Sequence, residues 1–387
     1  MKTPFLLFLL CLLLSPVGAA ASTPPAGEDY ISRLQKAVDV WQDELPALEK
    51  CAAAAASKII AGGNLYLGGA QPSFVEEGIA RSGGMTMSHP VSVSTRFTSN
   101  DVVLAAWVKA RDDPAAAALL EKAAAGGAQV VLFSNTCHPA NKAIAVFPSR
   151  AAPAPVGEPS VESVSNVVGM WAWTGAFVAA CIRQGKMPCM FESMFMPGAI
   201  PRDTRFREAP FHAQNLAGRE KVPDLGRAYL EIVSGSLRRL KEKNGEAFGR
   251  AAKLLREAHE NGRPVKVIPL GHMFPTEMQA NAIPSWITAA PEKYVPTAEC
   301  LPLYIGYQWF PWENAALTGA ARVPSILTTS RRPTGEWVED AEHVYIDPCW
   351  EVQDAGVELP GYDINILPVS GVMQSAIFWE LLERIAK

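Results

Sequence analysis

A short apolar run that ends in glycine and passes at once into a proline-led, hydroxyl-bearing helix start occurs twice in this chain. In the first copy Asn64 to Leu67 leads into GGAQPSFVEE, Gly68 to Glu77; in the second Val265 to Leu270 leads into GHMFPTEMQA, Gly271 to Ala280. Aligned on Pro72 and Pro275, each copy places Ser or Thr next (Ser73, Thr276) and Glu or Gln three positions later (Glu76, Gln279). That spacing predicts a capping box, in which the hydroxyl accepts one free helix N–H and the longer side chain reaches back to the cap residue. A strand that turns on glycine into a capped helix is the βα step of a parallel sheet.

The surroundings repeat as well. Ahead of the first copy lies an amphipathic stretch, Asp29 to Ile60, with Ile31, Leu34, Val38, Trp41, Leu45 and Leu48 at three- and four-residue spacing and an expected break near Pro46; ahead of the second lies Arg227 to Glu260. Downstream of the first come a strand at Asp101 to Trp107, a helix from Pro114 stopped by Gly126-Gly127, and a buried strand at Ala128 to Ser134. Downstream of the second come Pro302 to Tyr307, a helix led by Pro311, and Val323 to Thr328. The chain therefore reads as two copies of one α/β unit, 22–200 and 227–387, joined by a charged, proline-punctuated connection at 201–226. Asn166 to Ile182 is apolar enough to be mistaken for a membrane span, but Gly169, Thr174 and Gly175 within it favour a buried helix.

Composition excludes several classes. With 49% hydrophobic and 19% charged residues the chain has a globular balance, and a net charge of -4 without a Lys/Arg block argues against a nucleic-acid partner. The N-terminus stands apart: Lys2, an apolar Phe5 to Leu14, then Gly18-Ala19-Ala20-Ala21-Ser22. This is the pattern of a secretory signal peptide cleaved after Ala20 or Ala21, so the expected location is periplasmic or extracellular, with no integral membrane segment left after cleavage. Six cysteines follow the leader, and in an oxidising compartment Cys181 and Cys189 are the nearest in sequence to pair. No CxxC, HxH or HExxH spacing occurs, so neither a metal nor a cofactor is expected.

Val75 to Met85, VEEGIARSGGM, resembles the Glu-Glu, Arg, Gly-Gly stretch of the sugar isomerase (SIS) domain proteins, and the tail from Val357 to Ile385 is similar to the loop and closing helix of the bacterial sugar isomerase domain-containing group. The two-copy order resembles double-SIS proteins. The resemblance implies a flavodoxin-like or Rossmann-like parallel sheet flanked by helices in each half, dimer-like packing of the halves, and a phosphosugar site on the strand-end loops. It transfers ligand-binding roles to Gly68, Gly69, Gln71 and Ser73, with Glu76 and Glu77 after them; Gly271 and Thr276 are their candidates in the second copy. One departure is plain. Where SIS domains carry a Ser/Thr-rich phosphate cradle, this chain reads WVKARDDPA, Trp107 to Ala115, and GYQWFPWEN, Gly306 to Asn314. Lys109 and Arg111 offer charge, but Asp112 and Asp113 oppose a phosphate, and Asp113-Pro114 is also a plain helix cap. Trp309 and Trp312 suit stacking on a sugar or packing an interface.

An aldose–ketose isomerase needs a carboxylate base and an acid for ring opening. Glu76 or Glu77 fits the first role and His89, His138 or His272 the second, His272 being best placed at a strand end; yet a capping Glu76, a solvated Glu77 and a structural histidine are equally open readings. Arg202, Arg205 and Arg207 are either an anion clamp or a solvated loop. No GxSxG, GxxxxGK[ST] or GxGxxG motif is present. Two functions follow as expectations: an exported protein that binds a sugar or sugar phosphate, with aldose–ketose isomerisation left open, or a noncatalytic scaffold derived from such an isomerase with carbohydrate or protein partners. A homo-oligomer stays open. A bulky residue at Gly69 is expected to block the ligand with little effect on folding.

Overall fold

The computed structural model describes residues 28–108, 113–135, 141, 143–150, 161–213, 222–280, 283–291, 294–307, 319–333, 337–350 and 354–387. The N-terminal stretch expected to be a signal peptide, His138, Cys137, Lys109, Arg111, Asp112, Trp309, Trp312 and the helix expected at Pro311 lie outside the described residues.

Helix α1, Tyr30–Ile60, starts where the Asp29 carboxylate accepts from Ser32 N at 2.8 Å, and its buried stripe is the predicted one. It runs unbroken through Pro46, against expectation. Pro46 sits on the exposed face, where its ring meets no packed neighbour helix and the loss of one backbone bond is tolerated.

The first sheet comprises β1 (Leu65–Gly69), β2 (Ser88–Pro90), β3 (Val102–Ala106), β4 (Gln129–Phe133) and β5 (Ile144–Phe147), in the order β2-β1-β3-β4-β5. The second comprises β6 (Val265–Pro269), β7 (Ile287–Ala289), β8 (Leu301–Ile305), β9 (Ser325–Thr328) and β10 (His343–Tyr345), in the order β10-β9-β8-β6-β7. Every pairing within both sheets is parallel. Renumbered within its unit, each has the flavodoxin-like order 2-1-3-4-5. The expected two α/β units are thus present, each a parallel sheet with helices. A separate antiparallel pair, β11 (Ala355–Val357) and β12 (Ile366–Pro368), precedes the last helix.

The helices are α2 (Pro72–Gly78), α3 (Pro114–Ala125), α4 (Val161–Arg183), α5 (Ala199–Phe206), α6 (Leu225–Glu260), α7 (Met273–Ala280) and α8 (Ser370–Ala386). Asp113 caps α3 through Ala115 N and Ala116 N, both at 3.0 Å, with Pro114 at the first helical position. One apolar core joins the inward faces of both sheets to α1, α4, α6 and α8. Helix α4 is long and apolar enough to cross a bilayer, and Val161 to Ile182 is buried within the fold throughout. Trp41 Nε1 donates to Ser165 O at 2.9 Å, fixing α1 on α4, and Ile31 N donates to Glu380 Oε2 at 3.2 Å, fixing the start of α1 on α8. Helices α4 and α6 touch backbone to backbone at Gly175, where a Cβ would lie 2.8 Å from Gly226 N. Cys51, Cys181, Cys189, Cys300 and Cys349 are free thiols, so the sequence neighbours Cys181 and Cys189 are not bonded to each other.

Gly69 decides one expectation. Its φ is +101°, and a Cβ there would lie 2.3 Å from Ala106 O, a backbone atom that cannot move without breaking the sheet. The residue is required by folding before any ligand is considered. Gly69→Val is expected to lower the unfolding free energy by at least about 2 kcal/mol; urea denaturation with wild-type stability would show that the turn is looser than described.

Candidate functional site

In a sheet of order 2-1-3-4-5 the chain leaves its first and third strands toward opposite faces, and the crevice outside their carboxyl ends is where ligands of such folds sit. In the first unit this point lies between β1 and β3, in the second between β6 and β8. The turns are held alike: Ala70 N donates to Ala106 O and Leu270 N to Ile305 O, each at 2.9 Å.

That register corrects the alignment on prolines. Leu270 is the counterpart of Ala70, so Met273 stands at Ser73 and Glu277 at Glu77; Pro275 has no proline opposite it. Neither capping box forms. Gln71 precedes α2 without a side-chain cap bond, Ser73 is already the second helical residue, and Glu76 is exposed. Thr276 lies half-buried inside α7.

The true counterparts meet across the two units. Glu77 Oε2 accepts from Met273 N at 3.0 Å, while Glu277 Oε2 accepts from Ser73 Oγ at 2.7 Å and its other oxygen from Ser163 Oγ. Each unit's glutamate thus holds the other unit's turn. Both are buried, Glu77 at 0% and Glu277 at 1% exposure, so the solvated reading of Glu77 is set aside. Glu77 has no room to move: a Cβ on Gly371 would lie 2.6 Å from either carboxylate oxygen.

Glu77 is also bound to Arg81, whose Nε lies 3.1 Å from Oε1. Arg81 Nη2 reaches Asp354 Oδ2 at 2.5 Å and Ser370 Oγ at 2.6 Å, and its guanidinium lies 5.7 Å from the centre of the Tyr307 ring. Ser370 N donates to Asp354 Oδ1 at 2.8 Å and Ser370 Oγ to Tyr307 Oη at 2.8 Å. Burial raises the Glu77 carboxyl above its ordinary value, with Arg81 opposing and Asp354 adding to the rise. Burial also works against the charge of Arg81, but Asp354 and Glu77 outweigh it and hold the guanidinium ionised.

His272 follows Gly271 at the β6 turn. Burial, then the charge of Arg81, pushes its imidazole down to about 3, so it is neutral at physiological pH. A neutral ring can donate one hydrogen bond and accept another; as a proton-donating acid it would be spent. Phe195, between α4 and α5, has its ring centre 5.8 Å from that of Tyr307, which follows β8.

At the first crevice the side chains form an amide chain. Asn166 Nδ2 donates to Gln71 Oε1 at 3.1 Å and to Trp107 O at 3.4 Å; Gln71 Nε2 donates to Ser163 O at 2.8 Å and to Ser73 Oγ at 3.2 Å. In the second unit Gln374 Nε2 donates to Leu270 O, at 2.5 Å. Gly68 is buried with Val91 Cγ2 3.2 Å from its Cβ position, and Gly271, φ +149°, would place a Cβ 2.5 Å from Gln374 Oε1.

The structure therefore brings together Gly69, Gln71, Ser73, Glu77, Gly271 and His272, and leaves Glu76 apart. His89 stands exposed on edge strand β2 beside Tyr66. Arg202 is bound through two nitrogens to Asp363, at 2.7 and 2.9 Å, and to Tyr362 Oη at 3.1 Å, a tie between the connection and the late loop. Among the described residues no His, Cys, Asp and Glu cluster is arranged to hold a metal. Sequence reasoning missed Glu277, Arg81, Asp354, Asn166 and Gln374; aligning the turns from the strand ends would have exposed the Glu77 and Glu277 pair.

No family model matches the sequence, and no curated protein does. Solved structures do share its outline. The C-terminal domain of glucosamine-fructose-6-phosphate aminotransferase from Francisella tularensis is similar with a TM-score of 0.49 and 8% identity, over 94% of this chain and 98% of that one. A protein of Salmonella typhimurium described as sugar binding gives 0.48 and 9%, over 92% and 98%; one of Silicibacter pomeroyi described as a phosphosugar isomerase gives 0.47 and 13%, over 93% and 98%. At these values the fold rests on the strand order and register of this chain itself.

Two outcomes are expected. Glu77→Ala strands the Arg81 charge on one carboxylate and frees Met273 N, at a cost of about 3 to 5 kcal/mol in urea unfolding; a loss under about 1 kcal/mol would mean the pair is solvated. An unfolded histidine titrates near 6.5, His272 near 3. Its contribution is complete above pH 6.5 and is lost as pH falls toward 3, by at most about 1.4 kcal/mol per pH unit. His272→Gln should flatten the fall in stability on acidification, and parallel curves for the two proteins would show that His272 titrates normally.

Proposed function

We propose that this protein is an exported carbohydrate-binding protein that takes a sugar-type ligand at its strand-end crevices, chiefly the one at His272, without isomerising it. The observation that carries this reading is the commitment of both turn carboxylates. A base for aldose–ketose isomerisation must be free to reach a C–H proton, whereas Glu77 is enclosed by Arg81, Met273 N and Gly371 and Glu277 by Ser73 and Ser163. What the second crevice keeps is binding chemistry: a neutral imidazole, and the half-buried Phe195 ring, packed on Tyr307, for a sugar face. The apolar Phe5 to Leu14 followed by Gly18 to Ser22 supports export.

Calorimetric titration of the chain from Ser22 onward with hexoses and hexose phosphates tests the reading. Binding is expected without interconversion of aldose and ketose by NMR, and His272→Ala should weaken it about tenfold, the worth of one hydrogen bond. Turnover that survives purification and is lost in Glu77→Gln would replace this reading with isomerisation.

A further inference from the structure

Helix α5 is held to the body by polar contacts rather than by apolar burial. Ala199 is its one buried residue, while Ile200 is 65% exposed and Met194, just ahead of the helix, 58%. The anchor is Arg202, which gives Nε and Nη2 to Asp363 at 2.7 and 2.9 Å, Nη1 to Met190 O at 2.7 Å, and Nη2 also to Tyr362 Oη at 3.1 Å. Asp203 accepts from Glu192 N at 2.9 Å, and Phe206 packs edge-on against His212, ring centres 4.5 Å apart. An element with so little apolar burial belongs to the low-stability end of a fold, and its hold depends on the protonation of its anchors.

At the centre of this clasp stands the Tyr362 hydroxyl, between β11 and β12. It accepts from Met190 N at 3.2 Å and from Arg202 Nη2 at 3.1 Å, and neither nitrogen can accept in return. Its third neighbour is His212 Nε2 at 2.9 Å. With both lone pairs taken, the hydroxyl has only its own proton left, so it donates that proton to Nε2. The His212 ring is therefore neutral and carries its hydrogen on Nδ1. An imidazolium would make Nε2 a third donor aimed at an oxygen with no acceptor capacity left, beside the Arg202 guanidinium. Among the described residues, the charges that face His212 are Arg202 and Arg205 on α5, which oppose a proton, and Asp363 after Tyr362, which favours one. Burial first, then the two arginines against Asp363, holds the imidazole below its ordinary value.

We infer that His212 is the acid-sensitive pin of this clasp: when its ring takes up a proton, the Tyr362 bond fails and the segment 192–208, carrying Phe195 and α5, is released. The Asp363 carboxylate that still pairs with Arg202 is 54% exposed, and an ion pair open to water adds little. Outside the clasp a histidine titrates near 6.5, within it lower. The clasp is thus complete above about pH 6.5 and is lost as pH falls toward the value of the clasped ring. The Asp203 and Glu192 carboxyls, raised by burial, are the other groups of the segment that take up protons on acidification; the Cys189 thiol, pushed up to about 11 by burial, stays neutral. The clasp does not depend on what the crevices bind.

Hydrogen exchange read by mass spectrometry on the chain from Ser22, with labelling times scaled to the intrinsic rate at each pH, follows the segment directly. Between about pH 7.5 and about pH 5 the peptide 192–208 is expected to lose protection about tenfold, while α4 keeps its own. In His212→Gln the amide oxygen still accepts from Tyr362 and takes up no proton in this range, so the same peptide should change less than about threefold. No loss in the wild type overturns the inference; so does an equal loss in the variant, which would assign the release to Asp203 and Glu192. If the variant does not fold, long-range ¹H–¹⁵N NMR of the wild type decides. Nε2 of His212 is expected to be unprotonated at neutral pH and to take up its proton over the interval in which the peptide opens. A ring already protonated on Nε2 at neutral pH, or an opening that precedes its titration, overturns the inference as well.

Discussion

The fold turns on one reciprocal contact, in which the glutamate of each short strand-end helix bonds to the turn of the opposite unit. Glu77 takes the Met273 amide and Glu277 the Ser73 hydroxyl, and both carboxylates are sealed from water. A buried carboxylate is tolerated only when its oxygens are occupied. The surroundings follow from that need: Arg81 beside Glu77, Ser163 beside Glu277, and glycine at 371 where a larger residue would strike the carboxylate. Small departures between the two halves, serine at one carboxylate and glycine at the other, show duplicated frames carrying different local solutions.

The network also defines what the crevices are able to do. Asp354, Ser370 and Tyr307 complete the shell of Arg81, so that guanidinium is committed to structure. Among the described residues near the turns, the carboxamide oxygens of Gln374 and Asn166 are buried without a partner, and the His272 imidazole is neutral.

Much of the frame was legible because it depends on local rules. Asp113-Pro114 reads as a cap and is one; the central strands β1, β3, β4, β6, β8 and β9 announce themselves as apolar runs, all but β3 flanked by glycine or proline. The short outer strands β2, β7 and β10 do not, since three residues carry no periodicity and owe their state to the neighbour they pair with. Pro46 misled because its effect depends on which face it occupies. The site was harder still. Aligning Pro72 with Pro275 produced two capping boxes that the strand register dissolves, and with them went the correspondence of Glu77 with Glu277. Contacts such as Ser73 with Glu277 join residues far apart in sequence, and no local pattern encodes them.

The bond between Ile31 N and Glu380 Oε2 sets a sequence of events as well as a position. The first helix of the body finds its last partner only on the closing helix, and the first turn finds Glu277 only when most of the chain exists. Both partners lie far along the chain, so these two contacts are among the most non-local in the molecule and carry a large loop-closure entropy. High contact order of this kind goes with slow folding.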